Sequence, residues 1–165
     1  VLDDPIAEVG QFRYGGVVFW VNPGDNTQGL VCDVSDLPGS GDWGCQGTTM
    51  GASGGGIGDG SQNTINILNG CSVTDIAANQ CNLNSAQGYS DWFLPSEDEL
   101  NEMYVNRSVI DSVSQFMGGS IVSDNLYWSS TEYSSTHARA QYFNSGATTQ
   151  HQKYSSHVVR AICAF

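Results

Sequence analysis

Positive charge is scarce in this sequence: five Lys and Arg stand against 17 Asp and Glu, a formal net charge of -12 over 165 residues. A field of that sign repels a phosphate backbone, which excludes nucleic acid as a partner. Sulfated and other anionic polysaccharides are disfavoured for the same reason unless a cation bridges them. Long apolar runs are missing too. None approaches the roughly 20 residues that span a bilayer, so no membrane insertion is expected. The opening Val1-Leu2-Asp3-Asp4-Pro5 has neither the basic n-region nor the apolar h-region of an uncut signal peptide, and residues 1–14 read as a lead-in to one domain over residues 15–165. Catalytic signatures are equally wanting. There is no nucleophile elbow, no H-E-x-x-H, and Gly54-Gly55-Gly56 lacks the strand, helix and lysine of a phosphate loop. The expectation is that the chain is not an enzyme.

Five cysteines are present, none with C-x-x-C spacing, and His137, His151 and His157 lie far from them, so a zinc centre is not expected. Pairing between sequence neighbours is the simplest reading, Cys32 with Cys45 and Cys71 with Cys81, although four cysteines allow three connectivities. Bridges imply an oxidising compartment and therefore export. Cys163, in the apolar stretch Val158 to Phe165, is left as a buried inert thiol. Asp25, Asp33, Asp36, Asp42 and Asp59 offer oxygen ligands for a Ca²⁺ loop site. No other cofactor is expected.

What the chain has in quantity is Gly, Ser, Asn and Thr, which favour tight turns and short strands over long helices. Gly15 to Val21 reads as a buried strand ended by the turn Asn22-Pro23-Gly24-Asp25, and Gly29-Leu30-Val31-Cys32 as its hairpin partner. Asp33 to Gly60 is loop-like, with Trp43 as its large anchor. Asn63 to Leu68 and Val73 to Gln80 read as short helices. A clear helix begins at Ser96-Glu97-Asp98-Glu99, a capping box followed by Leu100, Met103 and Tyr104 at core spacing. Val109, Ile110, Val113 and Phe116 make a second amphipathic stretch. Strands follow at Leu126 to Ser130, Ala138 to Phe143 and His157 to Phe165, around a polar tract from Asn144 to Ser156. Early strands, middle helices and late strands give an α+β class. Trp20, Trp92 and Trp128, each in an apolar stretch or beside a turn, are expected in the core.

Several pieces together resemble one known family. They are Gly15-Gly16-Val17-Val18-Phe19, Trp43-Gly44-Cys45, Ile57-Gly58-Asp59-Gly60, Asp91-Trp92-Phe93-Leu94-Pro95-Ser96 followed by Glu99-Leu100, Tyr127-Trp128-Ser129-Ser130-Thr131-Glu132-Tyr133, and Val159-Arg160-Ala161. This series is similar to the C-terminal domain of Lcl-type bacterial collagen-like adhesins, over about Gly15 to Phe165. The resemblance implies a C-type-lectin-like fold, secretion or surface display, carbohydrate adhesion and presentation as a homotrimer. The charge departs from that pattern, since five cations cannot form the basic face that a glycosaminoglycan needs. The Glu-Pro-Asn and Gln-Pro-Asp tripeptides of Ca²⁺-dependent lectins are absent as well.

The segment from Ser134 to His157 also resembles the variable tracts of retroelement-diversified proteins on C-type-lectin-like folds. Thr136, His137, Arg139, Ala140, Tyr142, Asn144, Ser145, Ala147, Thr149, His151, Tyr154, Ser155, Ser156 and His157 are all reachable by randomising adenines in AAC or AAT codons. The interleaved Gln141, Gln150, Gln152 and Lys153 are not. Tyrosine and histidine give wide, fairly rigid contact area with a polar tip, while Ser, Thr and Asn give adaptable hydrogen bonds. The ligand-binding set is therefore expected at Thr136, His137, Arg139, Ala140, Tyr142, Asn144, Ser145, Thr149, His151, Tyr154, Ser156 and His157. The function read from the sequence is an adhesin module, on a cell surface or phage tail, that docks a glycan or protein receptor. A trimerising structural cap on a fibre is the rival, and an enzyme on the formylglycine-generating scaffold the remote alternative.

Overall fold

The apolar run after Gly15 forms strand β2 (Gly16–Val21), because β-branched and aromatic residues fill a pleated, two-sided buried surface. It pairs antiparallel with the short β1 (Phe12–Arg13) on one side and with β3 (Gly29–Cys32) on the other, the hairpin expected from the Asn22-Pro23-Gly24-Asp25 turn. The structure, a computed structural model, describes residues 5–165. The start of the expected lead-in, residues 1–4, lies outside the described residues. The rest of that lead-in joins the fold, with Ala7 buried and Phe12 paired to Val17.

Four helices follow: α1 (Asp59–Gly70), α2 (Ala77–Asn82), α3 (Glu97–Val105) and α4 (Arg107–Phe116). α2 starts later than expected, because Val73 is exposed and Ile76 is still extended. The capping box at α3 forms as read, and it reaches further. The Ser96 hydroxyl accepts from the Glu99 amide, while Glu99 accepts from the Ser96 amide at 2.7 Å and from the Gly58 amide at 2.8 Å. Glu99 is fully buried, and that desolvation raises its pKa above the ordinary carboxylate value against the pull of these donors. Gly60 is required at this crossing, since a Cβ there would collide with the Glu99 carboxylate and the Leu94 carbonyl. One carboxylate thus caps α3 and clamps the start of α1 against it.

The chain ends in strands: β4 (Gly41–Asp42) earlier, then β5 (Leu126–Glu132), β6 (His137–Tyr142), β7 (Thr148–Gln152), β8 (Ser156–His157) and β9 (Ile162–Ala164). They form three antiparallel sheets in the orders β1-β2-β3-β9, β4-β8 and β5-β6-β7, which with four helices make an α+β fold. Two apolar layers fill the interior. One gathers Trp43, Ile67, Ile76, Trp92 and Trp128, the other Phe19, Leu100, Met103, Tyr127 and Phe143. Trp20 is only partly buried, at the edge of the second layer. Phe116 is 89% exposed, because α4 turns its last residue past the core that takes Ile110.

The expected disulfides are corrected. The single bridge among the described residues joins Cys45 to Cys71, whose Cα atoms are 5.6 Å apart, and Cys32, Cys81 and Cys163 are free and buried. Cys32 sits in a central strand and faces the other core layer from Cys45, while Cys71 is taken by Cys45, which leaves Cys81 unpaired inside α2. Cys71 ends α1 beside the loop that carries Cys45. Burial pushes the Cys32 thiol up to about 12 and keeps it unreactive.

Candidate functional site

The candidate tract is a hairpin laid on β5. Register pairs Ala138 with His151, Arg139 with Gln150, and Ala140 with Thr149. Side chains alternate across a strand and directly paired residues share a face. Ala138, Ala140 and Tyr142 therefore point to one side of the hairpin with Thr149 and His151, and His137, Arg139 and Gln141 to the other. The tract that the sequence offers as one surface is two.

On the first side a cavity of about 500 Å³ opens between the end of the hairpin and the β4–β8 ribbon. Tyr142, Asn144, His151, Ser156 and His157 line it, together with Ser40, Asp124 and Asn125 from other loops. The two imidazoles touch: His157 Nε2 lies 3.1 Å from His151 Nδ1, with ring centroids 4.8 Å apart and the planes close to perpendicular. The His157 ring also leans on Trp128 at 4.6 Å, and His151 meets the Tyr142 ring edge-on at 6.5 Å. Burial, and then the neighbouring His151, lower the His157 pKa to about 4, against a weaker opposing pull from Asp42. The ring is neutral at physiological pH. β8 sets this position, since Gly41 pairs with His157 and Trp128 donates its indole N–H to the Gly41 carbonyl. Ser156 donates to the Asp42 carboxylate on the same ribbon.

Ala140 is a correction to the ligand set. It is 2% exposed, because it faces the core directly opposite Trp128, so no external ligand reaches it. Thr149, its partner in β7, is half-buried.

The second side is a polar network. Arg139 lies 3.6 Å from the Glu97 carboxylate and 4.5 Å from the centre of the exposed Tyr133 ring, and it donates to Gln150. Thr136 and His137 form the β5–β6 turn, with the Thr136 hydroxyl 2.9 Å from His137 Nδ1. Ser145 and Tyr154 stand at exposed tips, Ser145 between β6 and β7 and Tyr154 between β7 and β8. The interleaved residues divide. Gln141 is buried and donates to Asn101 and to the Gly146 carbonyl, and Lys153 is fully buried, whereas Gln150 is exposed.

Ser40, Asp124, Asn125 and Tyr133 are missing from the sequence-derived set. The first three are ordinary loop residues whose nearness to the tract comes from the β4–β8 and β5–β6 pairings, which no local signal announces. Tyr133 closes the Tyr-Trp-Ser-Ser-Thr-Glu-Tyr stretch, and an aromatic beside a turn was the available cue.

Among the described residues no three His, Cys, Asp or Glu side chains come together as a metal-holding group. The five candidate aspartates are engaged separately: Asp25 with Thr27, Asp33 with Asn84, Asp36 with Tyr127, Asp42 with Ser156 and Asp59 with the Gly56 amide. No described helix is long and apolar enough to cross a membrane.

Fold and surface together define an α+β module, braced by one disulfide, that displays a polar hairpin with exposed tyrosines beside a lined cavity. The chain belongs to the Lcl C-terminal domain family, whose model matches residues 39–163, a span that includes the hairpin and the cavity. No curated protein matches the chain.

Proposed function

We propose that this chain is the receptor-binding module of a secreted or surface-displayed bacterial adhesin, on a C-type-lectin-like scaffold, and that it binds without catalysing. The face between Ser134 and His157 docks a glycan or protein receptor outside the cell. One observation carries the reading: Tyr142, which lines the cavity from the end of β6, and Tyr154, in the turn after β7, are 37% and 60% exposed, while the neighbouring Gln141 and Lys153 are bonded into the interior. Rigidly mounted, outward aromatics with adaptable polar neighbours are what recognition surfaces use. Family membership supports an adhesin-type role, and the disulfide supports export. The reading needs no cofactor, so a chelator leaves binding unchanged. Display is as a homotrimer on a stalk or phage tail. The alternation of codon-reachable positions with a buried Gln141 and Lys153 supports diversification by a retroelement, with Ala140 outside the varied surface.

Alanine replacement of Tyr142, Tyr154 and His151 tests the face. Binding to receptor-bearing cells is expected to fall roughly tenfold or more for the central aromatics, with the melting temperature little changed. Undiminished binding by the folded variants means the face is wrongly placed. Loss of trimer assembly alone favours a structural cap.

A further inference from the structure

The cavity beside the hairpin has a definite chemistry. Its polar lining holds a single carboxylate, the rim group of Asp124, beside the Asn125 and Asn144 carboxamides, serine hydroxyls and the two mutually bonded imidazoles. None of the chain's five Lys and Arg lines it. Arg107, the cation paired with Asp124 at 2.6 Å, is also held by Asp111 and by the Val122 and Phe143 carbonyls. Arg139 lies across the hairpin on Glu97, and Lys153 and Arg160 are buried. Burial, with the neighbouring His151, keeps His157 neutral against the weaker pull of the Asp42 carboxylate on the ribbon. The cavity therefore offers an anion no Lys or Arg and meets it with a carboxylate, in a chain of net charge -12.

A neutral polyol is matched on every point. Each sugar hydroxyl both donates and accepts, so a carboxylate and a carboxamide can together take a vicinal pair of hydroxyls. The Tyr142 ring, exposed and edge-on to His151, gives an apolar wall for the C–H face of a pyranose. A cavity of about 500 Å³ falls in the ordinary size range of small-ligand sites.

We infer that the cavity bounded by Tyr142, Asn144, His151 and Asp124 is a subsite for a neutral hexopyranose, the terminal unit of an uncharged glycan. This inference rests on the reading of the hairpin as the ligand face, and it selects glycan over protein as what enters the cavity. Recognition here is by hydroxyl pairs and ring stacking, so it is independent of calcium and insensitive to salt, unlike the binding of sulfated chains by a basic surface.

Titration of the intact chain with methyl α-mannoside, methyl β-galactoside and methyl β-glucoside, followed by the imidazole carbon–proton signals of His151 and His157, tests it. At least one neutral glycoside is expected to shift both signals saturably, in the presence of chelator and equally at low and high salt. Asn144→Ala is expected to weaken that titration roughly fivefold to tenfold, and Tyr142→Ala at least as much, with amide spectra otherwise unchanged. Glucuronate and a heparin fragment are expected to leave the signals in place. The inference is overturned if no neutral glycoside moves the two imidazoles, if only the anionic sugars do, or if Asn144→Ala titrates like the parent. If the sugars fail while Tyr142→Ala still abolishes attachment to cells, the subsite is lost and the hairpin face stands. If attachment is also untouched, both fall.

Discussion

Lys153 lies in the turn after β7 with none of its side chain exposed. Its Nζ is 2.6 Å from Glu132 and 2.8 Å from the Thr48 carbonyl, and it sits 4.6 Å from the centre of the Trp43 ring. Glu132 in turn accepts from the Met50 and Gly51 amides. The pair ties the hairpin to the long loop before α1. Removing only the cation leaves a carboxylate in the interior, so Lys153→Met is expected to cost about 3–5 kcal/mol, read from urea unfolding. The double variant Lys153→Met with Glu132→Gln should recover part of that loss. His157 gives a second test at this scale. Its folded pKa, about 4, lies below its ordinary 6.5, so the unfolded chain takes up the proton first as pH falls. The stability it contributes is present in full above about 6.5, declines as pH drops from there toward about 4, and changes no further below. The raised pKa values of Asp36 and Glu99 work in the opposite direction, so the comparison must be with a variant. In His157→Phe, unfolding free energy should fall less steeply than in the parent between those limits; parallel curves contradict the assignment.

At the scale of elements, Ser96→Ala removes the hydroxyl that accepts from the Glu99 amide and should cost about 1 kcal/mol. Because Glu99 also holds Gly58, amide exchange should quicken at the start of α1 as well as α3. This capping box was legible in four residues, as β2 and β3 were in their apolar runs, because each is specified locally. β7 was not. Thr148-Thr149-Gln150-His151-Gln152 has no apolar alternation, and it is a strand because β6 pairs with it along its whole length. The hairpin's two-sidedness was hidden for the same reason, since which residues share a face depends on register. The disulfide was misread because Cys45 and Cys71 meet only once α1 has packed against the loop before it, a proximity that separation in sequence does not report. Three residues of the cavity wall, Ser40 with Asp124 and Asn125, were illegible on the same grounds.

For the whole molecule, one covalent tie closes a loop across a sequence separation of 26, worth about 3.5 kcal/mol by chain entropy. Cys45→Ser with Cys71→Ser should lower unfolding stability by up to that amount, and reductant should do the same to the parent. Cys32, Cys81 and Cys163 should resist a thiol reagent until denaturant is added, since each is at most 1% exposed. The scaffold and the proposed recognition surface are therefore separable: bridge, capping box and the Lys153–Glu132 pair hold the frame, and the exposed residues of the hairpin make none of these ties. Hydrogen–deuterium exchange of the chain, free and bound to receptor-bearing target surface, tests this most directly. Protection confined to the stretch from His137 to His157 and to Asp124-Asn125 is the predicted result. Protection instead at the end of α4 around the exposed Phe116, with the hairpin exchanging as in the free chain, would contradict it.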